Sequence, residues 1–183
     1  MKKTILIILS LTCFISCEEV KNYSEESLTL LNQIKHEFND SSGLFLIHSY
    51  GAYLQPKLTR EQIEGELAPF IGNDVWKRIK EQRELSNSFE NQIMVCNNQI
   101  PISEFQTFIE EMKRKDLPFW ENLVEKFSCV SGISIPIFSE NYSHAFVYEY
   151  SMYGALAGGG TCRVYKKEKL GWVLVKTFNE WVS

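Results

Sequence analysis

Apolar residues return every three or four positions from Leu28 onward, and Leu28, Leu31, Ile34 and Phe38 mark one face of a helix. Ser24 stands where a cap belongs. Glu25 and Glu26 follow in the first turn, where the helix dipole favours acid. Asn39-Asp40-Ser41-Ser42-Gly43 ends the segment, and Leu44 to Ile47 is a short apolar run that fits either a strand or a helix start. Thr59-Arg60-Glu61-Gln62 is a capping box, opening a short helix that Pro69 should stop. Asn73 or Asp74 starts another, with Val75, Trp76 and Ile79 inward. Ile93 to Cys96 reads as a strand, Asn97-Asn98 as a turn and Gln99 to Ile102 as a short return strand. Ser103 with Gln106 forms a second capping box before a helix carrying Phe105, Phe108, Ile109 and Met112. Asp116 and Pro118 introduce a helix with Phe119, Trp120, Leu123, Val124 and Phe127 on its apolar face.

From Ile133 the period falls from about 3.6 to 2, and Ile133, Ile135 and Ile137 alternate. Glu140-Asn141 turns the chain, Ala145 to Tyr153 is a long strand, and Gly154 to Gly160 reads as a flexible loop. Cys162 to Lys167 and Trp172 to Trp181 make a hairpin around Lys169-Leu170-Gly171. Helices followed by a four-stranded antiparallel sheet predict an α+β domain. The order of elements, and the opening Gly171-Trp172-Val173-Leu174 of the last strand, resemble the NTF2-like arrangement, a cone of helices on a curved sheet.

The first seventeen residues follow a different pattern. Lys2 and Lys3 precede a mostly apolar run from Ile5 to Ile15, then Ser16, Cys17 and two glutamates. A basic start, a short apolar stretch and a small residue before the cut describe a secretory signal. The apolar run is shorter than the roughly 20 residues that span a bilayer. Phe14-Ile15-Ser16-Cys17 resembles the lipobox of bacterial lipoproteins, although Phe14 stands where leucine is more usual. That resemblance implies cleavage after Ser16 and lipidation of Cys17. Several acyl chains on one cysteine would make the anchor effectively permanent, since one chain alone binds membranes marginally. Glu18 is not the aspartate associated with inner-membrane retention, so the resemblance points to the outer membrane. The expected organisation is a signal peptide over 1–16, a tether over 17–23 and one domain over 24–183. The C-terminal stretch also resembles a group of bacterial lipoproteins with no established activity, whose loop often reads Cys-Gly-Gly-x-Cys-Gly. Here Tyr153-Gly154-Ala155-Leu156-Ala157-Gly158 has neither cysteine.

Removing residues 1–16 takes Lys2 and Lys3 and no acid, which moves the net charge from −4 to −6. Modest acidity without a basic run argues against nucleic acid as a partner. Beyond Cys17, three cysteines remain, Cys96, Cys129 and Cys162. They allow at most one intramolecular bridge, and spacing cannot choose it.

Gly158-Gly159-Gly160-Thr161 lacks the Lys-Ser/Thr and the following helix of a phosphate loop, so the glycines point to positive φ or to close backbone approach. His36, His48 and His144 have no metal spacing, and no metal or cofactor is expected. A Cys–His pair would need His144 beside Cys162 or Cys129. Glu110-Glu111 and Glu121-Glu125 read as solvated helix faces. Glu149 shares a strand face with Val147, Ser151 and Tyr153, opposite Phe146, Tyr148 and Tyr150. It is exposed if the tyrosines face the helices and a buried acid if Val147 does. Tyr148, Tyr150, Tyr153, Tyr165, Trp172 and Trp181 are aromatics that could stack on sugars or fill a core. Glu149, Tyr153, Gly158, Gly159 and Gly160 are therefore the candidate ligand or partner contacts. The expected role is a non-catalytic binding module in the cell envelope for a protein or small ligand. A small enzyme using the sheet interior and an immunity or inhibitor lipoprotein are the alternatives.

Overall fold

The computed structural model describes residues 21–35, 44–48, 59–86 and 99–182, and within 44–48 the side chains of Leu46 and Ile47. The signal segment, Cys17, Cys96, His36, the helix end at Asn39–Gly43 and the Ile93–Cys96 strand with its turn lie outside the described residues. Among the described residues, five helices and six strands form an α+β domain. The first helix, α1, covers residues 21–34, and four more follow: α2 (Arg60–Ile71), α3 (Val75–Ser86), α4 (Ile102–Arg114) and α5 (Phe119–Phe127). The strands are β1 (Leu44–His48), β2 (Val130–Ser134), β3 (Ile137–Phe138), β4 (His144–Gly154), β5 (Ala157–Glu168) and β6 (Gly171–Val182).

They build one mixed sheet in the order β1-β2-β4-β5-β6, with β3 also beside β4. The run from β2 to β6 pairs antiparallel, as the period of two predicts. Four strands are not the whole sheet, however. The ambiguous Leu44–Ile47 run is β1, and it pairs parallel to β2. A four-residue apolar run with Leu46 in one core and Ile47 in the other carries no alternation to announce itself.

The centre of the sheet is covered on both faces, which settles the choice left open at Glu149. Phe146, Tyr148, Tyr150, Cys162 and Val164 pack against Ile63, Leu67, Val75, Ile79, Phe105, Phe108 and Leu123 of α2 to α5. Ala145, Val147, Ile133, Tyr165 and Trp172 pack against Tyr23, Leu30, Leu31 and Ile34 of α1. The tyrosines face one helical layer and Val147 the other, and Glu149 is buried. Tyr23 is fully buried, and its hydroxyl donates to the Pro136 carbonyl. The packed domain therefore takes in residues 21–23, expected in the tether. Ser24 donates to the Lys21 carbonyl from inside the helix instead of capping it.

Local signals fared unevenly. The Thr59–Gln62 capping box forms in both directions. Pro69 sits inside α2 without ending it; the helix runs on through buried Ile71 to Gly72, whose φ is +111°. In a last turn proline forfeits one hydrogen bond, and burial of Leu67 and Ile71 offsets it. The Ser103–Gln106 box does not form, because the N-cap is Pro101, two residues earlier, and Ser103 lies within α4. Gln99 makes an isolated bridge, and Ile102 belongs to the helix, so the Gln99–Ile102 strand is absent. The largest departure is Gly154 to Gly160. The loop is only Ala155-Leu156, and Gly158, Gly159 and Gly160 lie in β5, paired with β4 and, from Gly159 on, with β6.

Two glutamines act as stand-in strands. Gln82 of α3 donates its amide to the Phe138 carbonyl (2.9 Å) and accepts from the Phe138 N–H (2.6 Å). Gln33 of α1 makes the same two-point contact with the backbone of Trp172, accepting from its N–H at 2.8 Å. Gln82 is buried, so Gln82→Leu strands an N–H and a carbonyl. We expect it to lower unfolding free energy by about 2–4 kcal/mol, each buried unsatisfied group costing about 1–3 kcal/mol. Gln82→Glu keeps the acceptor but loses the donor and should also destabilise. Urea denaturation followed by far-UV circular dichroism measures both, and an unchanged midpoint for Gln82→Leu would refute the clasp.

Candidate functional site

Side chains alternate along β4, so Glu149, Ser151 and Tyr153 follow Ala145 and Val147 on the α1 side. α1 packs over Ala145 and Val147. The next three positions on that face line an open groove of about 680 Å³. All five residues selected from the sequence, Glu149, Tyr153, Gly158, Gly159 and Gly160, lie along this groove. Ser151, Thr161, Arg163 and Glu180 join them.

Glu149 sits at the inner end. It faces Ile133 across β2 and Thr161 across β5, and Arg163 is one diagonal step away on β5. The Arg163 Nε lies 3.2 Å from the Glu149 carboxylate. The acid's side chain is 7% exposed and the guanidinium's 24%. A carboxylate this deep needs a cation beside it, and the cation is the partner that reaches solvent. Ser131 and Ser151, opposite each other in register, share a 2.8 Å hydrogen bond. The Thr161 hydroxyl oxygen is buried and has no hydrogen-bond partner among the described residues. The groove floor is thus a polar strip, while Tyr153, 57% exposed, and Val182 stand at its mouth.

The glycines serve close approach, since none of the three has positive φ. A Cβ on Gly160 would meet the Trp181 indole nitrogen at 2.6 Å and the Tyr148 hydroxyl at 2.8 Å, on the face toward α2 to α5. Those two groups are themselves hydrogen-bonded, Trp181 donating to Tyr148 at 3.1 Å. A Cβ on Gly158 would lie 2.9 Å from the Ser151 carbonyl oxygen. Gly159 points the other way, into the groove, where a Cβ would lie 3.0 Å from the Trp181 carbonyl oxygen and 3.9 Å from Val182.

The other candidates are dispersed. Tyr148, Tyr150, Tyr165 and Trp172 are core residues. Cys162 opposes Tyr148, four positions along β4 from His144, which is about 13 Å at about 3.3 Å per residue. Burial pushes the Cys162 thiol up to about 12. Burial, with Lys166 second, lowers the His144 pKa, and its ring touches Ser143 and Phe70. Cys129 and Cys162 are both free and buried, so the two are not bridged to each other. Glu111 pairs with Lys115 along α4, as a solvated face would. Arg163, Thr161 and Ser151 were not singled out from sequence. The one signal was a charged residue between Thr161 and Tyr165 in an inward-facing series, and it gains meaning only once β5 is in register with β4.

No family model, no curated protein and no solved structure matches this chain.

Two outcomes test the site's chemistry. Alkylation of the native protein with iodoacetamide at pH 8, read by peptide mass spectrometry, should leave Cys162 unmodified until denaturant is added. Rapid native labelling would contradict a buried, protonated thiol. Arg163→Ala should cost about 2–4 kcal/mol of stability, somewhat under the 3–5 seen when fully buried pairs are broken. Glu149→Gln combined with Arg163→Met should recover part of that loss in the same urea titration.

Proposed function

We propose that this chain is a bacterial envelope lipoprotein, held in the membrane through a lipidated Cys17, and that its domain binds a ligand or partner in the groove without catalysing a reaction. The anchor reading is supported by Lys2, Lys3, the apolar run and Ser16-Cys17. Glu18 supports the outer membrane as its destination. The tether becomes short in this reading. Three residues separate Cys17 from Lys21, the first described helical residue, and the four Cα steps reach at most about 14 Å.

The binding reading is carried by one observation: five residues chosen for their chemistry line a single groove with a buried ion pair at its inner end. Both sheet–helix interfaces are filled by apolar side chains, so the groove is surface, not interior. The protonated Cys162 and its distance from His144 speak against thiol catalysis. An NTF2-like cone belongs to the same proposal. It is supported by helices preceding long antiparallel strands and by the Gly171-Trp172 opening of β6, while α1 on the second face departs from an open cone.

Growth with a clickable fatty acid tests the anchor. The wild-type protein should be labelled and sediment with membranes, and Cys17→Ser should be unlabelled. Labelling of Cys17→Ser would refute the site.

A further inference from the structure

We infer that the groove takes a carbohydrate: a neutral, polyhydroxylated ring laid across β5 at Gly159 and stacked on Tyr153. This rests on the reading of the groove as a binding site and adds the class of ligand.

Charge narrows the choice first. Glu149 and Arg163 neutralise each other, and among the described residues Glu180 is the one further charged residue on the groove wall. A phosphate or carboxylate would meet two glutamates around an arginine already held by one of them. A strong cation would find that arginine at the groove's inner end. The floor is also too polar for an apolar ligand, since the part-exposed Arg163 guanidinium and the Ser151 hydroxyl would lose water without replacement.

A sugar satisfies these groups together. Its vicinal hydroxyls both donate and accept, which matches planar carboxylate and guanidinium groups and the hydroxyls beside them. The Thr161 oxygen is buried beneath the floor and unpartnered among the described residues, and a turn of its side chain toward the groove would let a ligand hydroxyl satisfy it. The C–H face of a sugar ring is apolar and packs on an aromatic side chain. Of the six sheet aromatics, Tyr153 alone is largely exposed, and it stands at the groove mouth. Gly159 supplies the room, because any side chain there projects into the groove. The volume of about 680 Å³ lies within the range of small-molecule sites.

Isothermal titration calorimetry of the full chain in zwitterionic micelles, free of sugar detergents, tests the assignment. The probes are maltotetraose and chitotetraose, with inorganic phosphate and spermidine as ionic comparisons. We expect at least one tetrasaccharide to bind. Tyr153→Ala should weaken it by about tenfold or more, and Gly159→Leu should abolish it. Circular dichroism melts check both variants, and the exposed Tyr153 position keeps the test informative if Gly159→Leu fails to fold. Silence from both tetrasaccharides overturns the sugar class. Binding of phosphate or spermidine that Gly159→Leu removes also overturns it, yet leaves the groove standing as a site. A saccharide that binds wild type and both variants alike overturns the sugar assignment and the groove reading together.

Discussion

The middle of β4 has no wet face, and the rest of the domain answers to that. Six consecutive residues, Ala145 to Tyr150, are buried. A strand in that position needs a layer on each side and apolar or satisfied groups at both parities. α2 to α5 supply one layer and α1 the other. Glu149 is the one charged member of the run, so β5 must present Arg163 a diagonal step away. Were the strands to slip by one residue, Arg163 would move to the face toward α2 to α5 and leave Glu149 uncompensated. The ion pair therefore holds register as well as charge.

The helical faces were legible because they are set by local spacing. Phe105, Phe108 and Met112 on α4, and the Thr59–Gln62 box, needed no knowledge of what they pack against. The hairpin at Lys169-Leu170-Gly171 was legible for the same reason, with Gly171 at φ +130°. The unread features all depend on distant partners. β1 is a strand because β2 lies beside it. Ser103 loses its capping role because Ile102 is drawn into α4, where it is buried. Glycine disfavours strands in general, so a run of three reads as loop until the groups that approach them are known.

Gln82 and Gln33 show the same limit from the polar side. Each lies in a helix whose pattern marks it as an ordinary polar residue. Each instead presents its amide as a piece of backbone, closing a strand position that no neighbouring strand pairs. Exposed strand edges invite pairing with other chains. Gln33 blunts β6 at its start. Irregular pairing near Val164 and Gly160, with Asn179 at φ +54°, interrupts the same strand further on. No periodicity encodes such a clasp, because only the two ends of one amide are involved.

The glycines link packing to the groove. Aromatic bulk on β4 is accommodated by removing side chains from the strands beside it. The Tyr150 ring lies over Gly132 of β2, where a Cβ would come within 2.5 Å, and the Tyr148 hydroxyl with Trp181 lies over Gly160 of β5. Both encounters are on the face toward α2 to α5. Gly159, between Gly158 and Gly160, falls on the opposite face, where α1 does not supply packing contacts. Its missing side chain opens the strip between Tyr153 and Thr161. A core requirement on one face and an opening on the other thus occupy adjacent positions of one strand. Replacing Gly160 should cost stability through the Tyr148–Trp181 contact, whereas a side chain at Gly159 acts mainly on whatever enters the groove.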